Sequence, residues 1–170
     1  MSDPASNEDL AEIIRYRFNS PKATLHELYG RLVFNILCGN TDDHARNHAG
    51  FCDGDQLTLT PAYDICPQSR SGDVASQAML IVGDKRTSTI ATCLEAAPNF
   101  QLSEKAAKEI VKRMGRHLRC SRIDRIRTQS FRPTHLSQRL CLRRHCAVPP
   151  DHRLVRRQVD VSFAAASFAA

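Results

Sequence analysis

The chain has 170 residues, 42% of them hydrophobic and 25% charged, which suits one globular domain of ordinary size and leaves too little for two large ones. It has no run of about eighteen apolar residues, which argues against a membrane span, and its polar start, MSDPASNEDL, lacks the basic-then-apolar order of a secretory leader. The formal net charge of +6 is unevenly divided: residues 1–114 hold 12 basic and 15 acidic residues, a net −3, while residues 115–170 hold 12 Arg and 3 Asp, a net +9.

The first predicted helix covers about Glu8 to Phe18, where Leu10, Ile13, Ile14 and Phe18 share one face. Ser20-Pro21 breaks that pattern, and Pro21 can open a second helix because its fixed φ suits a first turn. This second helix is predicted over Pro21 to Cys38, with Leu25, Leu28, Leu32, Val33, Ile36 and Leu37 as its apolar stripe. Thr24 and Glu27 have the spacing of a capping box, with Ser20 as the alternative start, and Gly39 supplies a left-handed stop.

Residues 39–48, GNTDDHARNH, read as a loop. A short hairpin is expected over about 48–60, from the turn signal Asp53-Gly54 and the alternation in QLTLT. Pro61 ends it, and Tyr63-Asp64 follows. Met79 to Val82, bounded by Gly83-Asp84, is either a short strand or a buried turn. Helices follow over about Ser88 to Ala96 and over Glu104 to Met114. The last has Ser103 as N-cap, Ile110, Val111 and Met114 toward the core, and Gly115 as its stop.

Within this frame Asp42, Asn47 and Asp64 form a pattern suited to phosphoryl transfer. That chemistry needs a carboxylate to orient a hydroxyl and take its proton, and an amide oxygen with a second carboxylate to hold Mg²⁺ against ATP. Protein kinases space base and amide as D-x-x-x-x-N on one loop and place the metal carboxylate after a short hairpin. Asp42 and Asn47 have that spacing, and Asp64 stands at the far end of the expected hairpin. Each residue also has a purely structural reading, with Asp42 capping a turn, Asn47 holding a bend, Asp64 capping the segment after Pro61 and His44 a satisfied loop histidine.

The string FNILCGNTDDHARNHAGF followed by LTPAYD resembles the catalytic segment of HipA-like kinases, bacterial serine/threonine kinases that often serve as the toxin of a toxin–antitoxin pair. The likeness runs from about Asp9 to Met114 and is sharpest from Phe34 to Asp64. It implies Asp42, rather than Asp43, as catalytic base, Asn47 and Asp64 as Mg²⁺ ligands, and His44, Arg46, Asn47, Tyr63 and Asp64 along the ATP phosphates. It further implies a mainly α fold: a helical, kinase-like C-lobe fragment over residues 1–114 with a short hairpin at the catalytic loop. It implies a protein substrate, with a HipB-like antitoxin or a separate N-terminal kinase half as candidate partner, while the polar start without a secretory leader suggests a cytoplasmic location.

A kinase also needs a glycine-rich lid and a strand lysine over the phosphates. Neither precedes Asp42, where Lys22 is the only lysine, so an isolated chain is expected to be inactive. Without further core helices, Leu28, Leu32 and Ile110 are expected to leave apolar surface uncovered.

After Gly115 the composition loses Gly, Lys and Glu and ends in SFAAASFAA. Residues 115–170 can be read as a basic nucleic-acid-binding arm, as a solvated, poorly ordered tail, or as the product of a frame shift near residue 115, which would make the chain a pseudogene product. Phe131 alone interleaves with the arginines, which argues against direct nucleic-acid binding on a stacking platform. The seven cysteines, at 38, 52, 66, 93, 120, 141 and 146, form no CxxC pair and are read as free thiols, with zinc at Cys141, His145 and Cys146 the weaker alternative.

Overall fold

In the computed structural model of the chain, the residues described are 5–69, 74–120 and the backbone of 157–160. The expectations placed on residues 121–156 and 161–170, the nucleic-acid arm, the frame shift and the zinc cluster among them, lie outside the described residues.

Helix α1 spans Asn7–Arg17. Its start is set by a reciprocal capping box that the sequence reading missed: Asp9 N donates to Ser6 Oγ at 3.0 Å, and Ser6 N donates to the Asp9 carboxylate at 3.1 Å. Leu10, Ala11 and Ile14 turn inward. Helix α2 spans Pro21–Cys38, with Pro21 in its first turn, and Gly39 ends it at φ 79°, ψ 13°. The Thr24–Glu27 capping box does not form. Thr24 lies inside the helix, where its hydroxyl donates to Ser20 O at 2.8 Å, and Glu27 instead pairs with Arg31 at 3.0 Å. Ser20 is the cap residue, as the alternative start had it.

Strands β1, Ala49–Asp53, and β2, Gln56–Leu59, form the antiparallel hairpin, with Asp53 opposite Gln56. The two turn residues are therefore Gly54 and Asp55, and glycine takes the positive φ of 73°. The backbone of β3, Arg157–Asp160, pairs antiparallel with the other edge of β1. Met79 to Val82 is resolved as a buried turn rather than a strand: Met79 and Ile81 are core residues, and Val82 makes an isolated bridge to Lys85 around Gly83-Asp84.

Helix α3 spans Ile90–Ala96, capped by Thr89, and runs into a 3-10 turn over Ala97–Phe100. Helix α4 spans Glu104–Cys120, with Ala106 N donating to Ser103 Oγ at 3.3 Å. Gly115 does not stop it. A methyl at Gly115 would meet only Arg119 at 3.8 Å, and the apolar stripe of Ile110 and Met114 continues to Leu118, which is buried. Packing of that stripe outweighs the roughly 1 kcal/mol that glycine costs a helix interior.

The core joins α1, α2, α3 and α4 around Tyr29, whose ring meets Phe100 edge-on at 5.3 Å and whose hydroxyl donates to Cys93 O at 3.1 Å. α2 and α4 close in at Gly30, where a Cβ would lie 3.2 Å from Met114 Cε. Leu28, Leu32 and Ile110 are all buried within one core cluster, so the expectation of an uncovered apolar face there is corrected. The described residues are thus mostly helical with one hairpin, and none of their helices is long and apolar enough to cross a membrane.

Candidate active site in the loop after the second helix

The loop begins where Gly39 turns the chain off α2. Its entry is fixed by Asn35 in the last turn of that helix. Asn35 Oδ1 accepts from Asn40 Nδ2 at 3.2 Å, and Asn35 Nδ2 donates to Asp43 Oδ2 at 2.8 Å. Gln77 Nε2 bonds Asn40 O at 3.1 Å and Ser88 Oγ at 2.9 Å, and Ala78 N bonds Thr41 O at 3.0 Å. Gln77 and Ala78, just before the turn at Met79 to Val82, therefore brace the loop.

The two neighbouring aspartates take opposite directions. The Asp42 side chain is 74% exposed, whereas that of Asp43 is 8% exposed and also lies 3.2 Å from His48 Nε2. That last contact is electrostatic and is not aligned as a hydrogen bond. A single 3-10 turn, Ala45–Asn47, then brings Asn47 back beneath His44, with Asn47 N donating to His44 O at 2.8 Å.

His44 bridges two of the predicted residues. Its Nε2 lies 2.9 Å from Asp42 Oδ1, and its Nδ1 lies 2.9 Å from Asn47 Oδ1. Asn47, itself buried, points its Nδ2 at Asp64 Oδ2, 3.5 Å away. Asp42, His44, Asn47 and Asp64 thus form one continuous line of polar contacts. Asp64 sits at φ 55°, a left-handed conformation uncommon for a residue with a side chain and enriched at functional sites.

The other two predicted residues meet through the backbone. The Tyr63 hydroxyl donates to Arg46 O at 2.6 Å, which ties the segment after the hairpin to the loop. The Arg46 side chain is exposed. On the opposite side, the buried guanidinium of Arg31 donates from Nη2 to Thr60 O at 2.7 Å and so anchors the end of β2 to α2. Sequence reasoning missed Arg31, Asn35, Asp43 and His48 as supports. The available signal was that Arg31 and Asn35, four residues apart, interrupt the otherwise apolar second half of the helix with side chains that need buried partners.

The described residues contain no group of three or more His, Cys, Asp or Glu side chains suited to a metal. A cation held here would rest on one carboxylate, Asp64, and one amide oxygen, Asn47, a set that suits a hard ion completing its shell with phosphate and water oxygens. Asn47 now faces Asp64 with its amino group. If the amide turns over, its oxygen faces Asp64 and its amino group faces His44 Nδ1. A neutral His44 with its proton on Nε2 then satisfies both neighbours, accepting from Asn47 and donating to Asp42.

Residues 2–121 match the family model of the HipA-like C-terminal domain. No curated protein matches the chain, and neither does any solved structure.

Proposed function

From the premise that the chain belongs to the HipA-like C-terminal domain family, we propose that it carries the base- and metal-holding half of a serine/threonine kinase site of C-lobe type. One observation carries the proposal: Asp42, His44, Asn47 and Asp64, drawn from both sides of a hairpin, stand in one contact line.

In this reading the exposed carboxylate of Asp42 takes the proton of a substrate hydroxyl as its oxygen attacks the γ-phosphorus of ATP, with ADP as leaving group. His44 aims that carboxylate and fixes the amide of Asn47. Asn47 and Asp64 hold Mg²⁺, which when bound offsets the phosphate charge. Tyr63 and Arg46 hold the phosphate-facing wall together. In this reading the grip on ATP comes from a separate N-terminal half, without which the chain is inactive. The substrate is a protein serine or threonine, and a HipB-like antitoxin is the expected regulator.

The test mixes the purified chain with a separately expressed N-terminal half of a HipA-like kinase and radiolabelled ATP. Mg²⁺-dependent phosphoryl transfer should require both halves and fall to background with Asp42→Ala. Full transfer by the Asp42→Ala variant would remove Asp42 as base. Absence of transfer with every such half would remove the kinase reading.

A further inference from the structure

We infer that Asp43 is a positioning residue: it hangs the loop from α2 and so sets the separation and direction of Asp42 and Asn47. The inference rests on the kinase reading of those two residues and of Asp64, and gives a task to the second carboxylate of the Asp42-Asp43 pair.

An ionised carboxylate at 8% exposure is strongly unfavourable without partners. Asp43 has two, on different elements: Asn35 Nδ2 at 2.8 Å from α2, and His48 Nε2 at 3.2 Å at the entry to β1. Both partners are buried. One side chain therefore ties the rigid helix to the first residue past the loop. Asp43 is held inward while the side chain of its neighbour Asp42 is exposed, so the anchor on Asp43 sets the direction of Asp42. The same anchor fixes the start of the 3-10 turn that delivers Asn47. Asn35 also holds Asn40, so the start and the middle of the loop are fastened to one amide. Supports of this kind tune a site without touching what it binds.

The test uses the full chain in NMR titrations with Mn²⁺, read as line broadening at Asn47 and Asp64, with amide exchange read at Asn47 and His48. Asn35→Ala and Asp43→Ala should each weaken Mn²⁺ binding about 10–100-fold. The double variant should lose less than the two single losses combined, because the two side chains share one contact. Asp43→Asn keeps an oxygen for Asn35 and should recover the larger part. A purely structural role would lower the melting temperature and leave the Mn²⁺ affinity of the folded protein unchanged, and that result overturns the inference. If Asp43→Ala does not fold, Asn35→Ala and Asp43→Asn decide. If the unsubstituted chain shows no broadening at Asn47 and Asp64, the kinase reading fails separately. Exchange then settles the positioning: faster Asn47 and His48 amides in Asn35→Ala, with α2 amides unchanged, support it, and unchanged loop amides overturn it.

Discussion

Replacing Gly39 with alanine tests how the loop is launched from α2. Gly39 sits at φ 79°, where a side chain costs about 1–2 kcal/mol. A methyl there would also lie 2.3 Å from Gln68 O, against about 3.4 Å for an ordinary contact, so the Gln68 backbone must retreat by roughly 1 Å. That backbone is held by Gln68 N donating to Cys38 O at 3.1 Å, a bond worth about 1 kcal/mol that the retreat would break. Reduced freedom of the unfolded chain returns about 0.4–1 kcal/mol. The net expectation is a loss of about 2 kcal/mol in urea denaturation followed by circular dichroism. Gly83→Ala is the matched control, because Gly83 also has positive φ, 49°, yet a methyl there meets nothing within 4 Å. It should cost only about 0.5–1 kcal/mol, the conformational part alone. Equal losses in the two variants would refute the clash, and with it the close approach of the Gln68 segment to the end of α2.

Burial pushes the Cys93 thiol up from 9.0 to about 12, and the Tyr29 phenol beside it is also displaced upward by burial. The unfolded chain ionises first, so this stability is complete below pH 9 and is lost as pH rises toward 12, with a slope approaching about 1.4 kcal/mol per pH unit for each of the two groups. Urea midpoints between pH 7 and 10.5 should fall accordingly, and Cys93→Ala should flatten the early part of the fall. Tyr29→Phe removes the hydroxyl that donates to Cys93 O while keeping the ring against Phe100, and should cost about 0.5–1.5 kcal/mol in the same denaturation assay. Ser6→Ala removes the cap of α1 and should cost about 0.5–2 kcal/mol, with faster amide exchange at Asp9 as its local signature.

The helices and the hairpin were legible because their burial is one-sided and leaves a period in the sequence. The span of α2 from Pro21 to Cys38 agrees end to end, since proline and glycine mark both limits with backbone constraints. Gly115 misled because a glycine signals an end only when the apolar stripe also ends, and Leu118 carries this stripe on. The residues of the loop were legible by type and spacing, but their directions were not. Nothing in the letters of Asp42 and Asp43 tells the exposed carboxylate from the buried one. That difference comes from Asn35 and His48, partners on two other elements. The bridge through His44 and the left-handed turn at Asp64 are likewise products of tertiary closure.

Both walls of the candidate site are suspended from one rod. Arg31 carries the wall that leads through Thr60 to Asp64, and Asn35, a turn further along the same helix, carries the wall that holds Asp42 and Asn47. A tilt or slide of α2 within the bundle would carry both walls along as a single body. The gap between Asn47 and Asp64 is thereby insulated from breathing of the surrounding helices, and opening it would require one of these two tethers to let go.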